Sequence, residues 1–169
     1  MTQSGYQTII HEFAPVYNEE SRILILGTLP SVKSREGHFY YHHPRNRFWQ
    51  VISSLTGEPL PLTIPEKKAM LLRHGIAIWD VVAQCDIIGS SDSSIRNVIP
   101  ADIQGLLKKT SIDAVYTNGQ TAHRLYQKYS LPLTGLQDCP LPSTSPANAA
   151  FSLEKLLEIW GEKVSRKIF

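Results

Sequence analysis

The chain has 169 residues, 42% of them hydrophobic, 19% charged and 9% aromatic, with 17 Lys+Arg against 15 Asp+Glu for a net charge of +2. That length fits a single domain, 1–169, because domains run to about 100–200 residues, and a chain of this size buries about 70% of its unfolded surface without a disulfide or metal staple. The composition excludes a disordered tail, a collagen-like chain and a coiled coil; the charge balance excludes a basic field over the whole surface but leaves room for a local basic patch.

Ile23-Leu24-Ile25-Leu26-Gly27 is an apolar run closed by glycine, the pattern of a parallel strand buried on both faces. From Asn46 to Leu55, Phe48, Val51, Ile52 and Leu55 recur at helical spacing. Thr63 and Glu66 form a capping box that opens a helix to about His74, where Gly75 ends it. Ile76 to Val82 reads as a second buried strand with one acid, Asp80, inside it. Gly89 to Ser94 is a polar turn-rich loop, and Pro100 stands at the start of a helix carrying Ile103, Leu106 and Leu107. Asp113 to Thr117 is a third strand; Asn118-Gly119 then turns into a helix with Ala122, Leu125, Tyr126 and Tyr129 on one face. Leu133 to Leu141 reads as a fourth strand, and the last helix buries Leu153, Leu156, Leu157 and Trp160.

Strands alternating with helices predict an α/β fold, a parallel sheet of four strands between two helical layers. Ligands of such sheets bind beyond the carboxyl ends of the strands. That rule selects Gly27 to Pro44, Asp80 onward, Asn118-Gly119 and Pro142 to Asn148.

Two cysteines, Cys85 and Cys139, cannot build a four-cysteine iron–sulfur cluster or an all-cysteine zinc site. A reduced chain in the cytoplasm is the expectation. The N-terminal stretch lacks a basic segment followed by a long apolar one, so no signal peptide is expected, and no apolar run approaches the ~20 residues of a membrane span.

The segment between Gly27 and Asn46 is long for a strand-to-helix connection, and long loops are usually functional. It interleaves Phe39, Tyr40 and Tyr41 with His38, His42, His43 and Arg45, a mixture suited to stacking on a base while neutralising phosphates, or to packing the loop over the sheet. It lacks the Gly-Lys-Ser/Thr of a phosphate-cradling loop. His38 and His42 are four apart, as zinc ligands on a helix are, but Pro44 marks the stretch as loop and no nearby Cys or carboxylate completes a set, so no metal is expected. Ser143, Thr144 and Ser145, between prolines, suit phosphate oxygens or a helix-capping turn. Asp80 is either paired in a salt bridge, protonated, or waiting for a ligand. Asn46 either caps its helix or orients a water above the strand ends.

Three blocks carry a family resemblance: Gly27-Thr28-Leu29-Pro30-Ser31, Tyr41 to Trp49, and Pro142-Ser143-Thr144-Ser145. They resemble the uracil-DNA glycosylase superfamily, in the right order, from about Ile23 to Trp160. His43-Pro44-Arg45-Asn46-Arg47-Phe48-Trp49 is similar to the mismatch-specific enzymes. Those carry an Asn where this chain has Leu29, and other members place an Asp nearby, where this chain has Ser31, Val32 and Lys33. Gly27 to Ser31 with Tyr40-Tyr41-His42-His43-Pro44 and Ser143 to Ala149 more closely resemble the hypoxanthine-DNA (deoxyinosine) glycosylases, which likewise lack the usual water-activating group.

The resemblance implies the three-layer α/β/α sandwich of the superfamily and a monomer that needs no cofactor. It also implies DNA containing deaminated bases as partner and removal of the base from a flipped nucleotide. Asn46 becomes the catalytic candidate, with Thr28, Leu29, Pro30, Ser31, Tyr41 and Asp80 around the base. Ser143, Thr144, Ser145 and Arg45, with Arg47 adding charge, would face DNA. An ionised Asp80 can only accept a hydrogen bond, and hypoxanthine has a ring N–H where adenine has an acceptor. Hypoxanthine is the expected lesion. Uracil excision, non-catalytic binding of damaged DNA and a metal-dependent hydrolase built on the histidines are the rivals.

Overall fold

The computed structural model describes residues 5–164. Its centre is a parallel sheet of β2 (Ile23–Gly27), β3 (Ile76–Asp80), β6 (Ala114–Asn118) and β7 (Asp138–Leu141), in the order β3-β2-β6-β7. Every residue of β2 is buried. The strand splits its side chains between two cores, as the two-residue period of a strand requires. Ile23 and Ile25 enter one core with Phe48, Ile52, Met70, Leu156 and Trp160; Leu24 and Leu26 enter the other with Ile103, Leu106, Val115 and Leu125.

The first core is roofed by α2 (Phe48–Thr56), α3 (Ile64–Arg73) and α7 (Leu153–Val164), the second by α4 (Ile103–Lys108) and α5 (Gln120–Leu125). Helices on both faces make the expected α/β/α sandwich. The capping expected at Thr63 is present, its hydroxyl accepting from Glu66 N at 3.2 Å, while Glu66 accepts from Leu62 N rather than from Thr63.

Four local readings change. Ile76 to Val82 is not one strand: β3 stops at Asp80, Val81 N and Val82 N donate to Gly27 O and Thr28 O, and the chain enters β4 (Val82–Ile87). β4 pairs antiparallel with β1 (Gln7–Ile10) and β5 (Arg96–Pro100), a second sheet of order β1-β4-β5. Pro100 therefore ends a strand, and Asp102 caps α4 by accepting from Gly105 N at 3.0 Å. Leu133 to Leu141 is not wholly strand: α5 runs through a π-turn, Tyr126–Ser130, into α6 (Leu131–Thr134), and β7 begins only at Asp138. The long loop after β2 also contains a short helix, α1 (Val32–Gly37), capped by Ser31. Among the described residues no helix is long and apolar enough to cross a membrane. Cys85 and Cys139 are free thiols.

Candidate functional site

The parallel strands end side by side at Gly27, Asp80, Asn118 and Leu141. Above these ends opens a cavity of about 830 Å³. Gly27 to Ser31, Tyr40, Tyr41, Asn46, Asp80, Asn118 and Ser143 to Ser145 line it, joined from the β4–β5 hairpin by Gly89, Ser90 and Asp92. It lies where ligands of an open parallel sheet bind. Of the expected site residues, all but Arg45 and Arg47 are among its lining.

One wall is built around Asp80. Its Oδ2 lies 2.7 Å from His11 Nε2, and the two side chains are only 4% and 5% exposed. Asp80 is therefore paired with His11, yet the residue also lines the cavity, so pairing and ligand contact are not exclusive. Its other oxygen, Oδ1, sits against Gly27: a Cβ there would lie 2.5 Å from Asp80 Oδ1 and 3.1 Å from the Tyr41 hydroxyl. Only glycine leaves room for both groups at the end of β2.

Tyr41 holds a left-handed backbone conformation, φ 52°, which is costly for an aromatic residue and collects at functional sites. Its ring stacks on Phe48 at 3.9 Å between centroids and 16° between planes. The hydroxyl is buried without a well-formed hydrogen bond. Burial first, and then the charge of Asp80, push the Tyr41 phenol above its ordinary range, with the Asn118 side chain pulling the other way. Burial and Asp80 push Tyr40 up likewise, and its hydroxyl donates to Ala14 O at 2.9 Å. Both phenols stay neutral beside the carboxylate.

The opposite wall joins the start of α2 to the loop after β7. Asn46 Oδ1 accepts from Phe48 N at 2.9 Å and from Thr144 Oγ1 at 2.8 Å. Asn118 Nδ2 donates to Thr144 Oγ1 at 3.0 Å, and Thr144 N donates to Asn118 Oδ1 at 3.0 Å. Asn46, one residue before the N-cap Arg47, thus holds the first N–H of α2 and also lines the cavity.

Two expectations are corrected here. The Thr144 hydroxyl is not open to a phosphate: the residue is 0% exposed, and its hydroxyl is taken up between the two asparagines. Arg47 adds no free charge, because its guanidinium donates to the carbonyls of Thr144, Ser145, Asn148 and Phe151. It fastens the loop to α2 instead. Arg45 is exposed, with its backbone N–H on His43 Nδ1 at 3.0 Å.

Ser143 Oγ accepts from Ser145 N, and Ser145 Oγ accepts from Ala147 N, each at 3.1 Å. Both hydroxyl protons remain available to an acceptor at the rim. Gly119, at φ 102°, lets β6 turn into α5 directly against Ser143, whose Cβ would lie 3.2 Å from a Cβ at that position. Thr28, Leu29 and Pro30 form the near edge, with Ser31 capping α1 through Ser34 N at 3.1 Å. Leu29 contributes an apolar edge and packs against the second core.

The histidine cluster does not assemble. α1 stops at Gly37, His38 is its C-cap, and His42 folds back over Gly37, so His38 and His42 share no helix face. Among the described residues no three His, Cys, Asp or Glu side chains converge as metal ligands. His11 was not a sequence candidate; its partner is 69 residues away and no local motif joins them. Asn118 was visible only as a turn at a strand end, and the 89–94 loop only as a polar turn.

Comparison with known proteins accords with this geometry. The family model described as the uracil DNA glycosylase superfamily matches residues 14–162. A protein of Methanosarcina acetivorans named hypoxanthine DNA glycosylase is 36% identical over 144 residues, 83% of this chain and 89% of its own. One of the same name from Methanosarcina barkeri is 38% identical over 86 residues, 50% of this chain and 54% of its own. A solution NMR structure of a Methanosarcina acetivorans chain, provisionally named a uracil DNA glycosylase, superposes with a TM-score of 0.77 at 33% identity, covering 91% of this chain and 94% of that one.

Proposed function

The chain belongs to the uracil DNA glycosylase superfamily, and on that premise we propose that it is a monofunctional DNA glycosylase that excises hypoxanthine from DNA in base-excision repair. The observation that carries the reading is the make-up of the cavity: a carboxylate, Asp80, beside aromatic and apolar lining from Tyr41, Leu29 and Pro30, with Asn46 opposite. The relatives' name points to the same base.

The glycosidic bond is out of reach inside a duplex, so the nucleotide must be turned out into the cavity. Tyr41, backed by Phe48, offers a rigid aromatic surface for the base. Asp80, steadied by His11, accepts from the ring N–H of hypoxanthine and meets only an unprotonated ring nitrogen in adenine. A mismatched desolvated polar pair of this kind discriminates strongly, because the facing atoms lose water and gain no hydrogen bond from each other. Ser143 and Ser145 lie at the rim with hydroxyl protons available to phosphate oxygens. Water supplies the oxygen that bonds to C1′ as the C1′–N bond breaks, the bond pair leaves with the base, and the released proton ends on the base. No residue in the Thr28–Ser31 segment carries a carboxylate or carboxamide, and Asn46 is the candidate catalytic side chain.

The reading is tested by single-turnover assays on matched duplexes containing one deoxyinosine or one deoxyuridine, followed by alkali to cut abasic sites. Cleavage at deoxyinosine is expected, undiminished by a strong chelator. Asn46→Ala should lower the rate by about 10²–10³-fold while leaving DNA binding near normal. Cleavage at deoxyuridine alone would replace hypoxanthine by uracil as the substrate. Tight lesion binding with no cleavage at either would make the protein a damaged-DNA binder, the reading that Leu29 otherwise favours.

A further inference from the structure

The hydrogen bonds around Asn46 have only one possible polarity. Two backbone N–H groups stand at the ends of the chain of contacts, and an N–H can only donate. Thr144 N donates to one atom of the Asn118 amide, so that atom is Oδ1 and the other, facing Thr144 Oγ1 at 3.0 Å, is the NH₂. Phe48 N donates to one atom of the Asn46 amide, which is therefore also Oδ1. The Thr144 hydroxyl receives the Asn118 NH₂ and must place its own proton on Asn46 Oδ1, 2.8 Å away. Both lone-pair directions of the Asn46 oxygen are filled. Its NH₂ has no hydrogen-bond partner among the described residues, and the side chain lines the cavity.

We propose that Asn46 works in the cavity as a hydrogen-bond donor, its NH₂ turned to the reacting nucleotide by a relay from Asn118 through Thr144, and that Thr144 is the positioning residue of this relay. The inference rests on the glycosylase reading above. When the C1′–N bond breaks, its electron pair moves onto the base and spreads over the ring nitrogens and the carbonyl oxygen. A fixed amide N–H pair stabilises that charge without having to reorient, which is where a preorganised donor acts most strongly. An Asn that activated water would instead need its oxygen free to accept from the water. Here that oxygen is already engaged by Phe48 and Thr144. Leu29 and Asn46 therefore do not exchange roles between positions: the chain stabilises the departing base from the α2 side rather than activating water from the Thr28–Ser31 side.

The deciding substitution is Asn46→Asp. A carboxylate still accepts from Phe48 N and Thr144 Oγ1, so the cap and the relay survive, but the donor is replaced by an anion. The donor account expects single-turnover excision to fall by about 10²–10³-fold; a rate equal to or above wild type would overturn it, because an acceptor would then be what the position supplies. Thr144→Val removes the relay hydroxyl at nearly constant shape and should slow excision by about 10- to 100-fold with unchanged duplex affinity. Thr144→Ser keeps the hydroxyl and should restore most of the rate. Equal losses in Val and Ser, or none in Val, would overturn the relay, and thermal melts of the variants separate these results from unfolding. Wild type that excises no base would instead defeat the glycosylase reading itself.

Discussion

The two walls of the cavity are built on different principles. Around Asn46, Thr144 and Asn118 every polarity is dictated by backbone N–H groups, and Arg47 holds the loop in place through four carbonyls. Around Asp80 the acid has one partner, an imidazole, and the neighbouring Tyr41 hydroxyl has no well-formed bond. The first wall is held in one geometry by the protein alone, with the Asn46 NH₂ left open to the cavity. The second leaves groups that a ligand would complete. A reaction needs a fixed geometry where charge develops, while recognition needs groups that remain unsatisfied until the right ligand arrives. On the proposed reading, the difference fits bond breaking on the Asn46 side and base reading on the Asp80 side.

The largest effect is expected on the fixed wall. Arg47→Ala would strip the guanidinium donors from four carbonyls, leaving Phe151 O without its donor and Thr144, Ser145 and Asn148 O with one backbone N–H each, at a cost on the order of 3 kcal/mol of stability. Urea denaturation should show the loss, and excision should fall with it because the same loop carries Thr144. Unchanged stability would mean that the guanidinium is not what holds this wall.

Gly27→Ala comes next. The strand is paired on both sides, so the new methyl must displace Asp80 or the Tyr41 ring, at about 1–3 kcal/mol. A larger loss of deoxyinosine cleavage than of melting temperature would place the damage in the reading wall; an unaffected enzyme would contradict the crowding.

The smallest effect on stability is expected from Asp80→Asn, which can still bond His11 but offers the base either a donor or an acceptor. The ratio of cleavage at deoxyinosine to cleavage at deoxyadenosine should drop by about tenfold or more while the fold persists. A variant that merely unfolds would reduce Asp80 to a structural ion pair.

The sandwich was legible because β2, β3 and β6 are apolar on both faces, which only a sheet covered on both sides demands. The second sheet was not. β1 is mostly exposed, and β4 follows β3 with Val81 alone between them, so no turn signal separates two strands of different sheets. The strand expected over Leu133 to Leu141 is only half strand, because Gly135 closes α6 inside it. At the site, the strand-end rule located the cavity without showing which way side chains point. Thr144 and Ser143 are neighbouring small hydroxyl residues, and nothing in their sequence distinguishes the buried one from the one at the rim. Arg47 looked like surface charge because the carbonyls it binds lie 97 to 104 residues further along. His11 was hidden for the same reason: its contact with Asp80 is made only when β1 and β4 pair.

The central claim concerns a bond, so the most direct measurement identifies what leaves the DNA. Stoichiometric enzyme is mixed with a deoxyinosine duplex, and free base and abasic sites are counted by mass spectrometry. The account predicts free hypoxanthine equal in amount to the abasic sites formed, with the strands uncut before alkali. Hypoxanthine still attached to intact DNA that the protein holds tightly, or strands nicked without release of base, would contradict it.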